Sequence, residues 1–417
     1  MSKIKRICAR QVFDSRGNPT IESEVYLNDG SKASSISPSG ASTGTYEAFE
    51  LRDLNNIKYL GKSVLKAVEK VNNEISKTLI GKPADDQVEI DNILIQLDGT
   101  KQKKRLGANA ILSVSLAINK AVAVSKKIPL YKNLSTEFTL PLPLMNVING
   151  GVHANNLLRI QEFMIRPDKA KTFKEAINIC FLVIQKLKFL INKRNFSTSL
   201  GDEGGFAPAL TNNEEAIELI LESIEKAGFI SGKDISICLD VAANELFKDK
   251  KYAISSSKFI SQEKTIEYYL NLIKKYPIKS IEDPFSEDDW TSWTKFAKLT
   301  KKDIQIVGDD LFVTNKERLT KGIALKAANT ILIKPNQIGT LTETMEVIRL
   351  AHKNQYKTII SHRSGDSEDT YIADLAVATN SSQIKAGSLA RSERVAKYNR
   401  LLRIEDELGN DSKIVKV

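Results

Sequence analysis

The chain has 417 residues, of which 41% are hydrophobic and 27% are charged. This length is too great for one small module, so it predicts two domains or one large barrel with an addition. The composition is typical of a globular chain with a sizeable core, and it excludes a largely disordered protein.

The formal net charge is +10. A basic balance can indicate a nucleic-acid partner, but here the lysines are spread through predicted helices without arginine-aromatic clusters. We therefore interpret the charge as a solvated, lysine-rich surface and predict no specific nucleic-acid partner.

The N-terminal stretch, the apolar runs and the cysteines indicate the cellular compartment. The N-terminal stretch MSKIKRICARQVFDSRGN lacks the apolar run of a signal peptide, and no stretch approaches the roughly 18 to 20 apolar residues of a membrane span. Cys8, Cys180 and Cys238 are far apart, odd in number and outside any C-x-x-C spacing, so neither disulfides nor zinc is predicted. We expect a cytoplasmic protein with no membrane partner, in which these thiols are reduced packing residues.

Residues 1–135 are predicted to form an α+β N-terminal domain. The stretch TIESEVYLNDGSKASS alternates apolar and polar residues around an Asn-Asp-Gly turn, which predicts a hairpin. Two helices should follow: KSVLKAVEKVNNEISKTLIG, closed by Gly81, and GANAILSVSLAINKAVAVSKK, whose small apolar residues indicate burial on more than one side. The segment EFTLPLPLMN, with Pro141 and Pro143, breaks helical periodicity and is the predicted linker.

Residues 136–417 change to short apolar strands separated by amphipathic helices. The stretch SQEKTIEYYLNLIKKYP illustrates the helices, with Ser261 as N-cap and Pro277 beyond the end. The predicted strands are ISICLD, KSIEDP, IQIVGDD, TILIKP, KTIISH and SQIKAG. Their regular recurrence predicts a parallel α/β fold, a (β/α)8-type TIM barrel, with the N-terminal domain as its cap.

An ionisable residue ends each predicted strand. Because the carboxyl ends of barrel strands meet on one face, these side chains should share one mouth, where such barrels place their active sites. The residues are Asp240, Glu282, Asp309, Lys334, His362 and Lys385.

Three of these residues are carboxylates, namely Asp240, Glu282 and Asp309. Together in a partly buried site they would repel one another unless a cation lay between them. An all-oxygen set favours a hard ion such as Mg²⁺. The alternative is that each carboxylate pairs with a lysine or caps the following helix.

Lys334 follows the apolar run TILI, so its stem should be surrounded by barrel side chains. Desolvation disfavours the ammonium and would lower its pKa, making a neutral amine available as a base. A salt bridge, or a lysine that extends to solvent from a strand end, explains the residue equally well.

Three loops carry further polar groups. SHRSG places Arg363 and Ser364 beside a glycine, which suits a phosphate or carboxylate. SLGDEGGFAP puts Glu203 on a loop that can approach a ligand closely, and residues 37–47, SPSGASTGTYE, could form a mobile lid. Each loop taken alone could equally be an ordinary surface turn.

Ordered motifs cover nearly the whole chain. They are DSRGNPT, SGASTG, GANAIL, NVINGG, QEFM, GDEGGFAP, SIEDPF, DDLFVTN, KPNQIGTLTET, SHRSG, GSLARSERVAKYN and LLRIEDELG. In this order they resemble the enolase family, whose members reversibly dehydrate 2-phospho-D-glycerate to phosphoenolpyruvate in glycolysis and gluconeogenesis. Active sites of this superfamily combine a Lys or His base with one or two Mg²⁺ ions.

The resemblance implies roles for individual residues. Lys334 would remove the C2 proton and Glu203 would protonate the departing C3 hydroxyl, supported by Glu162 and by His153 on a closing loop. Two Mg²⁺ ions would be held, the first by Asp240, Glu282 and Asp309 and the second with help from Ser42. The substrate-binding residues would be Gln161, His362, Arg363, Ser364 and Lys385.

The resemblance also implies a homo-oligomer, either a dimer or an octamer built from dimers. Secondary protein partners and a surface or secreted location are known among family members. Val152, Arg159 and Asn244 depart from the family's usual residues without replacing an implied catalytic group. A dehydratase acting on an unphosphorylated sugar acid, and a binding scaffold, are the alternative functions.

Overall fold

The N-terminal part of the chain is a small antiparallel sheet covered by helices. The computed structural model of the protein describes residues 2–40, 44–54, 57–255 and 258–416. The first sheet has the order β1 (Ile4–Phe13), β2 (Pro19–Leu27) and β3 (Lys32–Ile36). The predicted hairpin is confirmed, since β2 and β3 pair across the Asn-Asp-Gly turn, where Gly30 has a φ of +89°.

Helices pack on one face of this sheet. They are α1 (Leu65–Lys70), continued by a π-helical turn (Val71–Ile75) into α2 (Ser76–Leu79), then α3 (Gln87–Asp98), α4 (Ala108–Ser125) and α5 (Leu130–Leu134). Helix α4 is buried on more than one side, as predicted. It is also long and apolar enough to cross a membrane by length and composition, contrary to our expectation that no stretch approaches a span. Its burial explains the composition, because a central helix in a folded core needs apolar residues all round.

Eight strands close into a barrel, and three very short ones form a separate antiparallel sheet, β7 to β9. In chain order the strands are β4 (Leu142–Asn149), β5 (Glu162–Arg166), β6 (Ser236–Asp240), β7 (Phe247–Lys248), β8 (Lys251–Tyr252), β9 (Ile260–Ser261), β10 (Ile278–Glu282), β11 (Gln305–Gly308), β12 (Thr330–Ile333), β13 (Lys357–Ser361) and β14 (Gln383–Lys385). Around the barrel the order is β10, β11, β12, β13, β14, β4, β5 and β6. The six predicted barrel strands are confirmed as β6 and β10 to β14.

One barrel strand that was not among the six predicted departs from the predicted parallel pattern. β5 runs antiparallel to both of its neighbours, β4 and β6. No α-helix lies between β4 and β5, and a short connection can return the chain only in the opposite direction. The start of β5 therefore lies at the mouth where the parallel strands end, and Arg166 at its finish lies at the opposite end.

The predicted linker is wrong in its second half. Residues 142–149 form the buried strand β4, in which Pro143 lies opposite Ile384 of β14. Proline is rare inside sheets because it lacks an N–H to donate, and for that reason the sequence indicated a break rather than a strand.

Helices cover the outside of the barrel. They are α6 (Phe173–Lys193), α7 (Asn213–Lys226), α8 (Gln262–Lys275), α9 (Trp290–Leu299), α10 (Lys316–Leu325), α11 (Pro335–Ile338), α12 (Leu341–Lys353), α13 (Tyr371–Ala378) and α14 (Ser392–Leu408). The predicted cap of α8 is confirmed, because the Ser261 side chain accepts a hydrogen bond from the Lys264 N–H.

The barrel bore is filled rather than hollow. One apolar side chain from each of six strands forms an inner layer, namely Leu144, Met164, Cys238, Val307, Leu332 and Ile359. The three cysteines are free thiols, of which Cys180 and Cys238 are buried, in agreement with their predicted role in packing.

The N-terminal part lies against loops at the barrel mouth. Ser39 forms an isolated antiparallel bridge with Gly365, and the Ser15 N–H donates to the Asp366 carbonyl over 2.8 Å. Lys120 of α4 reaches Asp369 at 2.6 Å. These contacts place the N-terminal residues beside the SHRSG loop, as expected for a cap.

Candidate active site

All six predicted strand-end residues lie at one mouth of the barrel. Asp240, Glu282 and Lys385 are the last residues of their strands, whereas Asp309, Lys334 and His362 follow theirs directly. A polar cavity in this mouth is lined by His153, Gln161, Glu162, Glu203, Asp240, Asp309, Lys334, His362, Arg363, Ser364 and Lys385, among others. Glu162 and Gln161 reach it because the antiparallel β5 begins here.

Lys385 lies at the centre of a buried cluster of charges. Its Nζ is 2.8 Å from Asp240 Oδ2, 2.9 Å from Glu282 Oε1 and 3.0 Å from Glu162 Oε1. Burial disfavours the ammonium, but these three carboxylates hold the pKa of Lys385 well above its ordinary value. Burial and then the charge of Asp240 raise the pKa of Glu282. The alternative in which carboxylates pair with a lysine therefore describes Asp240 and Glu282 in this structure.

Lys334 is paired with Asp309, as its Nζ donates to Asp309 Oδ2. Burial favours the neutral amine, but the Asp309 carboxylate outweighs it and raises the pKa of Lys334. The predicted lowering of this pKa is therefore wrong for the arrangement seen here, since the sequence could not show where Asp309 would point. Gln337, which the sequence analysis missed, donates to the other Asp309 oxygen over 2.9 Å.

Glu162 and Glu203 form a second carboxylate pair. Asn146 Nδ2 donates to both, over 3.2 Å to Glu162 Oε2 and 3.4 Å to Glu203 Oε2. Burial and then the neighbouring Glu203 raise the pKa of Glu162 well above its ordinary value. The sequence analysis missed Asn146, although an amide within the apolar run LPLMNVIN of β4 could have indicated it.

Two histidines face Glu203. His362 Nε2 lies 3.3 Å from Glu203 Oε2, and His153 Nδ1 lies 3.7 Å from Glu203 Oε1. Burial would raise the pKa of Glu203, but these imidazoles hold it well below the ordinary value. A proton shared within the carboxylate pair therefore belongs on Glu162 in this structure.

The predicted anion-binding loop is engaged by a carboxylate of the chain itself. Arg363 Nη1 and Nη2 donate to Glu47 Oε2 and Oε1 over 3.0 and 3.1 Å, and Ser364 lies beside them, buried. Glu47 belongs to the predicted lid segment, in which Ser42 lies outside the described residues. A fork of two parallel N–H···O bonds is also the geometry in which arginine holds phosphate.

The carboxylates at the mouth suit a hard cation, although in this structure two lysines form ion pairs with some of them. Among the described residues, two groups of carboxylates or imidazoles lie with ligand atoms within 4.8 Å of one another: His153 with Glu162 and Glu203, and Asp283 with Asp309 and Asp310. In the second group Asp283 accepts the Asp309 and Asp310 N–H groups over 3.0 and 2.7 Å, so it holds the backbone of the loop.

The predicted set of Asp240, Glu282 and Asp309 is not gathered so tightly, because the ammonium groups of Lys385 and Lys334 engage it. Glu282 Oε2 is nevertheless buried, with no hydrogen-bond partner in the described part of the chain. A buried carboxylate oxygen left without a partner, in an all-oxygen set on adjacent strands, fits a divalent cation.

The three unusual residues lie near this site without entering it. Val152, half exposed, and Arg159 line a neighbouring cavity. Asn244 Nδ2 donates to Asp310 Oδ2 over 2.8 Å and its Oδ1 accepts the Glu287 N–H over 2.9 Å.

Comparison with known proteins agrees with the geometry. Residues 4–134 match the family description "Enolase, N-terminal domain", and residues 137–415 match "Enolase, C-terminal TIM barrel domain". A protein named Enolase from Pelagibacter ubique (strain HTCC1062) is 65% identical over 419 residues, covering the whole of both chains. Both domain matches and the full-length similarity indicate a hydro-lyase, and the chain belongs to the enolase family.

Proposed function

We propose that the protein catalyses the Mg²⁺-dependent, reversible dehydration of 2-phospho-D-glycerate to phosphoenolpyruvate, in the cytoplasm, as a step of glycolysis and gluconeogenesis. The observation that supports this most directly is the meeting of Lys334, Lys385, Asp240, Glu282 and Asp309 at one barrel mouth in a chain of this family. Two lysines among three carboxylates provide both a base and a place for cations.

The metal ligands in this proposal are Asp240, Glu282 and Asp309 for one Mg²⁺, and Ser42 for the second. The orphaned Glu282 Oε2 supports the first site. When bound, the two ions would neutralise the charge that develops on the substrate carboxylate as the C2 proton leaves. Lys385 and Lys334 would then lose their present carboxylate partners and become available to the substrate.

Lys334 is the proposed base at C2. A lysine can accept a proton only as the neutral amine, so the charge of Asp309 must first be taken up by another partner. Once that happens, burial favours the neutral form of the Lys334 side chain. The backbone N–H of Lys334 donates to Thr314 Oγ1 over 2.9 Å, which helps to hold the residue at the end of β12.

Glu203 is the proposed acid that protonates the departing C3 hydroxyl. The raised pKa of Glu162 and the lowered pKa of Glu203 support a resting proton on Glu162, so in this proposal Glu203 gains the proton before donating it. Asn146 bonds both carboxylates and keeps them adjacent, which supports Glu162 as the proposed source of the proton. His153 and Gln161 complete this side, with Gln161 Nε2 donating to Asp240 Oδ2 over 3.4 Å.

The substrate's anionic groups are assigned to the remaining cations. Arg363 and Ser364, with His362 beside them, would hold the phosphate, which must replace Glu47 on the guanidinium fork. Lys385 would hold the carboxylate end.

We further propose a domain boundary between residues 135 and 136. We also propose that the protein is a homo-oligomer, dimeric or octameric, that can bind secondary protein partners.

The test is formation of phosphoenolpyruvate from 2-phosphoglycerate, followed by ultraviolet absorbance with and without Mg²⁺. Turnover that requires Mg²⁺ is expected, and no turnover at ample Mg²⁺ would refute the function. Exchange of the C2 proton with D₂O isolates the base: Lys334→Ala should abolish exchange, whereas the control Lys316→Ala, an exposed residue paired with Glu346, should retain it. Exchange that persists in Lys334→Ala would mean that another residue is the base.

A further inference from the structure

A second polar cavity lies at the end of the barrel opposite the mouth, and we call it the basal cavity. Its volume is about 380 Å³, within the range of small-molecule sites. It is lined by Arg166, Asp168, Lys279, Lys302, Asp303, Ile304, Gln305, Asn329, Gln355 and Lys357. None of these residues belongs to the proposed catalytic set.

The basal cavity owes its arginine to the reversed strand β5. Because β5 runs antiparallel, its last residue, Arg166, lies where β11 and β13 begin, at Gln305 and Lys357. Arg166 is buried, donates to Gln305 Oε1 over 2.5 Å and pairs with Asp168. These bonds use only part of its five N–H groups, so a buried guanidinium with spare donors faces the cavity.

The charges lining the basal cavity do not cancel. Four cations face two carboxylates, and both carboxylates are engaged, Asp168 with Arg166 and Asp303 with Lys279 at 2.5 Å. The side-chain ammonium groups of Lys302 and Lys357 have neither an ion-pair nor a hydrogen-bond partner among the residues that the structure describes. The cavity therefore carries an excess of two positive charges.

Lys357 shows the cost of this excess. Although part of its side chain is exposed, partial burial and then the charge of Arg166 lower its pKa. An anion placed between Lys357 and Arg166 would relieve the repulsion, and a concave, partly desolvated site strengthens such an attraction.

We propose that the basal cavity binds a small phosphorylated organic anion, with its phosphate held by Lys302, Lys357 and the spare donors of Arg166. Asp168 occupies the Nε and Nη2 edge of Arg166, so the spare donors are the remaining N–H groups of the two terminal nitrogens. Together with the two lysine point charges, these donors match the oxygens of a phosphate. The volume leaves room beyond one phosphate group, and Gln355 and Ile304 would line the organic part.

Pyrophosphate is a suitable probe, measured by isothermal titration calorimetry on the whole chain without Mg²⁺. The proposed active site contains Arg363, so Arg363→Gln serves as the background that weakens binding at the mouth. In this background one binding event is expected to remain. Adding Lys302→Gln and Lys357→Gln should weaken it at least tenfold, whereas the control pair Lys316→Gln and Lys321→Gln should leave it unchanged.

Two results would overturn the proposal. One is no pyrophosphate binding in the Arg363→Gln background, and the other is binding that the Lys302→Gln, Lys357→Gln pair does not change. The rate of phosphoenolpyruvate formation distinguishes this site from the catalytic one. The double variant Lys302→Gln, Lys357→Gln, with Arg363 intact, should keep kcat within twofold of the value for the original chain. Circular dichroism of each variant checks that a loss of binding is not a loss of fold.

Discussion

Arg394 Nη1 lies 2.6 Å from Nδ1 of His362, and both side chains are buried. A guanidinium can only donate, so Nδ1 must be the acceptor, and the proton of a neutral imidazole is then on Nε2. That nitrogen faces Glu203 Oε2 at 3.3 Å. Arg394 is thus a positioning residue, because it fixes which atom of His362 meets the proposed acid.

Replacing Arg394 should release the imidazole and weaken the fold. Arg394 also donates to the carbonyls of Arg363 and Ser364 over 2.5 and 2.6 Å, so Arg394→Gln should cost about 3 to 5 kcal/mol, as expected for a broken buried charge network. Nitrogen-15 NMR should show Nδ1 of His362 without a proton in the original chain and a mixture of tautomers in Arg394→Gln.

The spectrum is simple to assign, since the chain has three histidines. Arg394→Lys keeps the charge and should preserve more of the original spectrum than the glutamine variant. An unchanged His362 tautomer in Arg394→Gln would contradict the positioning role.

His362 should make the protein sensitive to mild acid. Burial lowers its pKa to about 4, from an ordinary value of 6.5. Between these two values the unfolded chain binds a proton that the folded chain refuses, so the free energy of unfolding falls as pH drops from 6.5 to about 4. The loss should approach about 3 kcal/mol, since each pKa unit is worth about 1.4 kcal/mol.

Denaturant unfolding at several pH values measures this effect. The quantity to compare is the difference in the free energy of unfolding between the original chain and His362→Gln. The difference should shrink on acidification through that window and be constant above pH 6.5. His352→Gln is a second test of the same reasoning, because burial also lowers the pKa of His352, which is bonded to Thr358 away from the mouth, so its difference should shrink in the same direction. Equal slopes for the original chain and His362→Gln would be evidence against a buried neutral His362.

Glu47 occupies the guanidinium group of Arg363, which we propose holds the substrate phosphate. The pair is buried and bidentate, and it raises the pKa of Arg363 in spite of burial. Glu47→Gln removes the competing charge, so the KM for 2-phosphoglycerate should fall about threefold to tenfold, the equivalent of roughly 1 kcal/mol. Steady-state kinetics measure it, with Glu50→Gln as the control on the same segment, where Glu50 pairs with Arg52 at 2.8 Å. A raised KM in Glu47→Gln would instead mean that Glu47 holds Arg363 in position for the phosphate.

The strand-end residues could be predicted because their position follows from local pattern. An apolar run ending in Asp240 or Glu282 predicts a barrel strand whose last residue lies at the mouth, and the closure of the barrel brings those ends together. The same reasoning placed Lys334 correctly at the end of β12. It could not predict that Lys334 pairs with Asp309, since a pairing between the ends of neighbouring strands depends on side-chain directions that no local pattern contains.

The direction of β5 could not be predicted from the sequence for a similar reason. The run EFMIR has the composition of a strand in either direction, and its reversal follows from the missing helix after β4. Arg394 was also missed, because SERVAKYN reads as an ordinary helix surface. Its burial arises only when α14 packs beneath the SHRSG loop, which is a long-range contact.

Asp369 joins the N-terminal sheet to the barrel, and its removal should separate their stabilities. It accepts hydrogen bonds from Lys120 Nζ over 2.6 Å, from Ser35 Oγ over 2.7 Å and from the Ile36 N–H over 3.1 Å. Burial would raise the pKa of Asp369, but Lys120 and these donors lower it overall. Its contribution is therefore present above pH 3.8, the ordinary value, and is lost as pH falls through the lower folded value.

Asp369→Asn should cost about 2 to 4 kcal/mol at neutral pH, because it leaves the partly buried Lys120 ammonium without its counter-charge. Hydrogen exchange should then rise in β3 and α4 and remain unchanged in the barrel strands. Glu317→Gln is the control, since Glu317 forms an exposed pair with Lys101 at 2.7 Å, and pairs of that kind contribute about 0 to 1 kcal/mol. If Asp369→Asn unfolds at the same denaturant concentration as this control, the carboxylate does not hold the two parts together.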